Sequence, residues 1–407
     1  MCIRDRNADR FTGSSGRQIF SGLGGNDTFN GGAGDQDRVD YSPSGWDTIL
    51  GASQGVNVNL GSGTATDPFG GTDSFSGIEE IRGTDRNDTI SGDGKENRLE
   101  GRDGNDTISG GGGDDRLRGD DGNDSLVGGS GNDDLSGGDG DDTLVGGNDG
   151  DWIQPGAGSD VINAGNGGND WWDELAYHWD SFHHNGPTQG MTITFTSELD
   201  GNVSDFTGAT DVFTGIEKVN GSMLGDTFIG TAGNQIFAGY GGNDTFDGGA
   251  GDRDTIDYRK WGGDLTELGA FQGVTVDLAS GVATDPFGNL DTLSNIENIR
   301  GTHWTDLIGG DAKRNDLRSY DGNDILSGEV YNQAFDPASF QAYRLYQATL
   351  DRVPDVPGLV SWANALASGM SILEAASRFV GSAEFQAKYG ATDNGQLVTL
   401  LYENVLG

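Results

Sequence analysis

The chain has 407 residues, of which 73 are glycine, and its 65 acidic side chains against 24 basic ones give a formal net charge of −41. This charge argues against nucleic acid and anionic membranes as partners, because both are polyanions, and it favours the binding of cations. No run of eighteen apolar residues occurs, so we predict no transmembrane segment. The only cysteine is Cys2, so neither a disulfide scaffold nor thiol catalysis is expected.

The chain begins with a hexapeptide that is unlike the rest, followed by a first set of repeats. Residues 1–6, "MCIRDR", match nothing later and resemble a translated sequencing adapter, so we interpret them as an artefact. Residues 7–41 hold glycine-rich nonapeptides such as "GLGGNDTFN", with Asp27 in the sixth position and Phe29 in the eighth. The frame runs back to Asn7 and fails at the hexapeptide, from which we expect upstream sequence to be missing.

A second, longer unit separates the blocks of nonapeptides. "GVNVNLGSGTATDPFGGTDSFSGIEEIRGT" at residues 55–84 returns at residues 273–302, and more loosely at 191–222. The alternation of Val56, Val58 and Leu60 predicts a half-buried strand. We interpret residues 42–82, 164–220 and 259–300 as β-rich segments that link the repeat blocks.

Nine consecutive nonapeptides fill residues 83–163 without a gap. Their eighth position is always Ile or Leu: Ile90, Leu99, Ile108, Leu117, Leu126, Leu135, Leu144, Ile153 and Ile162. Their sixth position is Asp with one amide exception: Asp88, Asn97, Asp106, Asp115, Asp124, Asp133, Asp142, Asp151 and Asp160. Shorter blocks at residues 221–258 and 301–328 place Asp226, Asp244, Asp306 and Asp324 in the same position.

This period predicts a flattened solenoid with two stacks of short parallel strands, in which two nonapeptides make one coil. In an extended segment, neighbouring side chains point to opposite faces, so the eighth residue turns inward while the seventh and ninth face water. The preceding glycines permit a tight turn and leave room for an ion. A single coil buries very little, so only stacked coils form a core.

The aspartates require a cation in such a stack. Asp106 would lie beside Asp124, eighteen residues on, and Asp115 beside Asp133, and like charges that close repel each other. Calcium suits them best, because it accepts six to eight oxygen ligands in flexible geometry. The repeats supply no His or Cys for zinc.

From Ala334 glycine becomes sparse, and residues 334–407 are predicted to form a small all-α domain. Asp336 and Pro337 suit a helix start, and Ser371 with Glu374 forms a capping box. The segment resembles a small helical domain of unknown function, similar to phycobilisome linker motifs, through "LYQATLDRVPDVPGLVSWANALASG" and "SAEF". The final "LYENVLG" looks like the start of a second copy, so we expect a truncated end.

The nonapeptides resemble the RTX, or haemolysin-type calcium-binding, repeats. The resemblance implies a mainly β fold with a calcium-stacked parallel β-roll, several bound Ca²⁺ ions, and export from bacteria by a type I secretion exporter. We predict a secreted or cell-surface protein and these metal ligands: Asp27, Asp88, Asp106, Asp115, Asp124, Asp133, Asp142, Asp151, Asp160, Asp226, Asp244, Asp306 and Asp324.

No catalytic set is predicted, so the chain is interpreted as a non-enzyme with an adhesin, surface-layer or matrix role. "GASQG" fits a serine-hydrolase elbow, but its repeat copy has Phe271 where Ser53 stands. Two alternatives stay open: the chain is the calcium-binding part of a secreted hydrolase or toxin whose catalytic domain lies upstream, or a glycan-binding module. The second would use tryptophans around Trp172, near the histidines of "YHWDSFHHN", and its partner would be a surface glycan or cell-surface protein.

Overall fold

The computed structural model describes residues 7–34, 36–42, 52, 54–166, 173–177, 189–259, 265–322, 324–327, 362, 365–366 and 369–380. Within these ranges the regular secondary structure is mainly β-strand, and the strands form two facing sheets. The fold is therefore the mainly β, parallel β-roll that the resemblance of the nonapeptides implies.

The first half of the roll contains the opening repeats, one long unit and the nine nonapeptides. The opening strands are β1 (Arg10–Thr12), β2 (Ile19–Phe20), β3 (Thr28–Asn30) and β4 (Arg38–Asp40). The long unit supplies β5 (Asn57–Asn59), β6 (Thr64–Thr66), β7 (Thr72–Ser76) and β8 (Glu80–Arg82). The nonapeptides supply β9 (Thr89–Ser91), β10 (Arg98–Asp103), β11 (Thr107–Gly112), β12 (Arg116–Asp121), β13 (Ser125–Ser130), β14 (Asp134–Asp139), β15 (Thr143–Asn148), β16 (Trp152–Ala157) and β17 (Val161–Asn166).

The second half repeats this order twice. A second long unit follows β18 (Glu174–Ala176) and supplies β19 (Thr192–Phe195), β20 (Gly201–Ser204), β21 (Thr210–Thr214) and β22 (Lys218–Asn220). Repeats then supply β23 (Thr227–Ile229), β24 (Ile236–Ala238), β25 (Thr245–Asp247) and β26 (Thr255–Asp257). A third long unit has a 3₁₀ helix (Leu265–Leu268) and β27 (Thr275–Asp277), β28 (Val282–Thr284), β29 (Leu290–Ser294) and β30 (Asn298–Arg300). Last come β31 (Leu307–Gly309), β32 (Asp316–Arg318), β33 (Ile325–Ser327) and helix α1 (Ile372–Val380).

Alternate strands belong to alternate sheets, and each coil pairs with the next one in parallel. In the nonapeptide block Leu126 lies opposite Ile108 and Leu144 in the first sheet, while Leu135 lies opposite Leu117 and Ile153 in the second. The register step is eighteen residues, as two nonapeptides per coil require. The described residues place 20 strands in the first sheet and 13 in the second.

The long units interrupt the parallel order of the first sheet only. In the first unit β7 pairs in parallel with β3, and β5 pairs in parallel with β9. The strand between them, β6, is antiparallel to both β5 and β7. In the second unit the middle strand β20 is likewise antiparallel to β19 and β21, and in the third unit β28 is antiparallel to β27 and β29. Each unit is thus a three-stranded meander inside an otherwise parallel sheet.

The second sheet remains parallel through these units and is held across them by ion pairs. Arg38 Nε lies 2.8 Å from Glu80 Oε2 at the first unit. Lys218 Nζ lies 3.4 Å from Glu174 Oε2 at the second. Arg300 lies 3.4 Å from Asp257 Oδ2 at the third, where Arg259 also binds Asp257. Each pair joins the two second-sheet strands that flank a meander.

The core is one side chain wide and changes character along the roll. In the nonapeptide block it is aliphatic, and every eighth-position residue has at most 1% of its surface exposed. In the blocks at residues 7–41 and 221–258 the first-sheet side of the core is aromatic: Phe11 stacks on Phe29 with centroids 5.0 Å apart, and Phe228 on Phe246 at 4.8 Å. Stacked rings preserve the same inward position with a larger residue.

Most strands of the nonapeptide block extend beyond the seventh to ninth positions of the repeat. Strands β10 to β17 each run six residues, into the glycines of the next repeat. In β13 both Leu126 and Gly128 face inward. In β10 to β17 the first residue of the following repeat therefore belongs to the strand rather than to the turn.

The predicted helical domain lies mostly outside the described residues. Helix α1 is described, and Glu374 N–H donates to Ser371 Oγ at its start over 3.2 Å, as the capping box predicts. The domain boundaries drawn from the sequence stay predictions.

Candidate metal centres

The sixth-position aspartates stack into columns along the two edges of the roll, which we call aspartate ladders. In each ladder the backbone N–H of one aspartate donates to Oδ1 of the aspartate one coil further on. The first-sheet ladder runs from Asp106 to Asp124 over 2.7 Å and from Asp124 to Asp142 over 2.8 Å. The second-sheet ladder likewise joins Asp115 to Asp133 over 2.8 Å. These contacts bring together the pairs that the eighteen-residue period predicts.

In twelve ladder aspartates the second carboxylate oxygen, Oδ2, is buried and accepts no hydrogen bond within the described part of the chain. A buried oxygen of this kind loses its solvation without compensation, unless a cation supplies it. The aspartates whose Oδ2 is in this state are Asp9, Asp37, Asp106, Asp115, Asp124, Asp133, Asp142, Asp151, Asp160, Asp173, Asp244 and Asp254.

These oxygens lie beside backbone carbonyls, in space that a first-position glycine leaves open. A methyl group on Gly119 would overlap Asp124 Oδ2 and lie 2.6 Å from the carbonyl oxygen of Gly137. A methyl group on Gly128 would meet Asp133 Oδ2 and the Gly146 carbonyl in the same way. Carboxylate and carbonyl oxygens thus converge on one place without a donor between them, which is the ligand chemistry that calcium prefers.

Burial and mutual repulsion make these carboxylates strong proton or cation acceptors. Burial, with Asp160 and Asp124 beside it, raises the pKa of Asp142 to about 8. Burial and neighbouring carboxylates likewise raise the pKa of Asp106 to about 8 and the pKa of Asp244 to about 10. A divalent cation would reverse this effect, because it stabilises the ionised form.

The donor set suits calcium in a ladder rather than in a compact cluster. Among the described residues no group of three or more His, Cys, Asp or Glu side chains converges on one point. A ladder offers instead one carboxylate per turn together with backbone carbonyls. The residues that would hold calcium are therefore the ladder aspartates, with the carbonyls of the first-position residues.

Three predicted ligands, which stand first in their ladders, differ from the others because local groups occupy their Oδ2. Thr84 N–H donates to Asp88 Oδ2 over 2.6 Å, and Ser222 N–H does the same to Asp226. Thr302 N–H donates to Asp306 Oδ2 over 2.7 Å. Of the remaining predicted ligands, Asp27 accepts from Asp9 N–H, and Asp324 accepts from Asp306 N–H.

The sequence reasoning missed three ladder aspartates in the second-sheet column: Asp37, Asp173 and Asp254. Insertions shift them out of the nonapeptide frame, so that Asp37 follows Gln18 by 19 residues and Asp173 follows Asp151 by 22. The signal that survives is local, because each is followed two residues later by an inward-facing Val, Leu or Ile.

Several other sequence hypotheses lie outside the described residues. They are the Ser53 elbow, the tryptophans around Trp172, and the histidines His178, His183 and His184. Among the described residues no helix has the length and apolarity that a bilayer crossing demands.

Comparison with known families agrees with the class of protein that the roll and its ladders define, a calcium-binding repeat protein. The family model of the RTX calcium-binding nonapeptide repeat matches residues 5–35, 73–94, 82–117, 91–126, 118–153, 127–162, 136–171 and 220–253. The chain therefore carries several copies of RTX calcium-binding repeats, which are structural and not catalytic.

A second family model, a domain of unknown function designated DUF4214, matches residues 376–407. This match lies within the C-terminal part of the helical domain predicted at residues 334–407 and includes "SAEF", but not the longer segment at residues 345–369. The likeness to phycobilisome linkers has no counterpart among the matches. No curated protein matches the chain.

Proposed function

We propose that the protein is a calcium-dependent extracellular scaffold, exported from a bacterium by a type I exporter and folded when calcium fills the aspartate ladders. Its role would be that of an adhesin, a surface-layer or a matrix component. The observation that carries the proposal is the row of twelve aspartates with a buried, unpartnered Oδ2 among the described residues.

Calcium would act as the missing partner of these oxygens. The ladders bring carboxylates within one hydrogen bond of each other's backbone, in a chain of net charge −41, and few basic residues are available to compensate. Without the ion, the buried carboxylates oppose stacking, so the unfolded chain is favoured and could thread an exporter. Extracellular calcium modules bind with dissociation constants of about 0.1 to 1 mM, which suits an ion that is scarce inside the cell and abundant outside.

The test is a calcium titration of the purified full chain, followed by circular dichroism. We expect little β signal in excess chelator and a cooperative increase as calcium is added. An equally strong β signal in chelator would contradict coupled folding.

A matched pair of variants separates the ladder from general charge. Asp124→Asn removes a buried ladder carboxylate, whereas Asp121→Asn removes an exposed one at the end of the preceding strand. We expect Asp124→Asn to raise the calcium midpoint about tenfold, which corresponds to about 1.4 kcal/mol, and Asp121→Asn to change it little. Equal shifts would show that only the overall charge matters.

A further inference from the structure

Three buried tyrosines stand where the ladders of the first sheet end. Tyr41 Oη donates to Asp73 Oδ2 over 2.8 Å, and Tyr258 Oη donates to Asp291 Oδ2 over 3.1 Å. Tyr177 Oη donates to Asp211 Oδ2 over 2.6 Å. All three tyrosines are at most 5% exposed. The same contact therefore recurs in each of the three long units.

The aspartates that these tyrosines bind are the last members of their ladders. Asp73 accepts the N–H of Asp27 through Oδ1, as an interior aspartate does. Asp211 accepts from Asp160 over 3.0 Å, and Asp291 accepts from Asp244 over 3.1 Å. The difference lies in Oδ2. This oxygen is unpartnered at Asp106, Asp124, Asp142 and Asp160 within the described residues, whereas at the three last aspartates it accepts a hydrogen bond from the tyrosine hydroxyl.

Each tyrosine occupies the chain position of a first-position glycine. It follows a second-sheet strand in the pattern Asp-x-U-x-Tyr, in "DRVDY", "DELAY" and "DTIDY", where U is the inward aliphatic residue and a nonapeptide would continue with Gly. At Gly119 that position leaves open the space between a carboxylate and a carbonyl oxygen. A tyrosine there fills the space and presents a donor to the same carboxylate oxygen.

Burial favours the protonated, donating form of Tyr41 and Tyr258. Burial, followed by the nearby carboxylate of Asp73, raises the pKa of Tyr41 well above its ordinary value. Burial and Asp291 do the same for the pKa of Tyr258. A neutral hydroxyl therefore satisfies the carboxylate without an ion.

The ladders of the second sheet stop at the same three units. Asp37 N–H donates to Glu79 Oε2 over 3.1 Å, and Asp173 N–H donates to Glu217 Oε2 over 2.8 Å. Asp254 N–H donates to Glu297 Oε2. A glutamate thus replaces the aspartate at the last position, so both edges of the roll change at each long unit.

We infer that Tyr41, Tyr177 and Tyr258 take the place of calcium at the last aspartate of each first-sheet ladder, so that ion loading stops there and the long units are calcium-free junctions. This inference rests on the proposed calcium binding by the ladder interiors. Beyond each tyrosine the first sheet continues with antiparallel strands, and the next ladder starts afresh: Val56 N–H donates to Asp88 over 2.7 Å. The calcium-loaded roll is therefore divided into separate blocks by its own sequence.

The test compares an interior aspartate with a terminal one in the full chain. Asp142→Asn and Asp211→Asn are each dialysed against saturating calcium, and bound calcium per chain is measured by elemental analysis. We expect Asp142→Asn to lose at least one ion relative to the unsubstituted chain, and Asp211→Asn to lose none. If Asp211→Asn lost as many ions as Asp142→Asn, the inference would be overturned.

The outcomes separate this inference from the proposed function. An unsubstituted chain that binds no calcium would contradict the proposed function itself. An Asp142→Asn chain that binds as many calcium ions as the unsubstituted chain would contradict the assignment of the interior ladder aspartates as ligands. If Asp211→Asn gave no calcium-induced β signal, Tyr177→Phe would decide. An equal or larger number of ions in Tyr177→Phe supports the inference, and a smaller number overturns it.

Discussion

The first-position glycine and the sixth-position aspartate of one repeat depend on each other through space. The backbone of Gly119 is not in the left-handed region, so it is the position of Asp124 Oδ2 that excludes a side chain. Other glycines of the repeat serve the turn instead: Gly129 and Gly131 have φ of 123° and 118°, which favour glycine. The repeat therefore needs its glycines for two distinct reasons.

Replacing Gly119 with alanine tests the spatial reason. We expect Gly119→Ala to destabilise the calcium-loaded roll by about 1–3 kcal/mol, because the new methyl group displaces the Asp124 carboxylate. Gly94→Ala is the control, since a methyl group there would meet nothing within 4 Å and its φ is not positive. Thermal denaturation in calcium measures both, and an equal loss in the two variants would argue against a special role of the first position.

The sequence was sufficient to predict the ladder aspartates that keep the nonapeptide frame. It was insufficient to predict those that lie where insertions break that frame. Asp106 and Asp124 follow from an eighteen-residue period, because the register of a parallel stack repeats with that period. Asp73, Asp211 and Asp291 could not be predicted in this way, since a meander of variable length separates them from their ladder. Their hydrogen bonds to tyrosine depend on the folded coil and leave only a weak local pattern.

At the scale of the strand, one inward side chain per coil carries the hydrophobic stabilisation. Leu126 is fully buried between Ile108 and Leu144, while its neighbour Val127 is 37% exposed. The core has a single layer, so a gap cannot be filled from another direction. Loss of one leucine should also weaken the coils on both sides, because each coil is stabilised mainly by its neighbours.

Truncation of these two adjacent side chains should give very different results. We expect Leu126→Ala to lower the free energy of unfolding by about 2–5 kcal/mol, and Val127→Ala to change it by about 0.5 kcal/mol or less. Denaturant unfolding in saturating calcium provides the measurement. A comparable loss for both would mean that strand propensity, and not the core, dominates.

At the scale of the whole molecule, protons and calcium compete for the same buried carboxylates. In the calcium-free roll the pKa values of Asp106, Asp142 and Asp151 are raised to about 8 by burial and by neighbouring carboxylates. A group whose pKa is higher in the folded chain than in the unfolded one favours folding at low pH. This stabilisation is lost as the pH rises from about 4 to about 8.

Acid should therefore partly replace calcium. In excess chelator we expect a stronger β signal at pH 5 than at pH 8, and in saturating calcium we expect the roll to be folded at pH 8. Circular dichroism at both pH values, with and without calcium, measures this. A chelated chain with the same signal at pH 5 and pH 8 would contradict the carboxylate explanation.

The unequal strand numbers of the two sheets have a geometric consequence for the path of the roll. Each meander adds three strands to the first sheet while the second gains one, and two extra strands amount to about 10 Å. Curvature toward the shorter layer is one way in which two layers that share a core absorb such a difference. The ion pairs Arg38–Glu80, Lys218–Glu174 and Arg300–Asp257 lie on that inner side. We therefore expect the roll to bend at each long unit and to run straighter in the blocks between them.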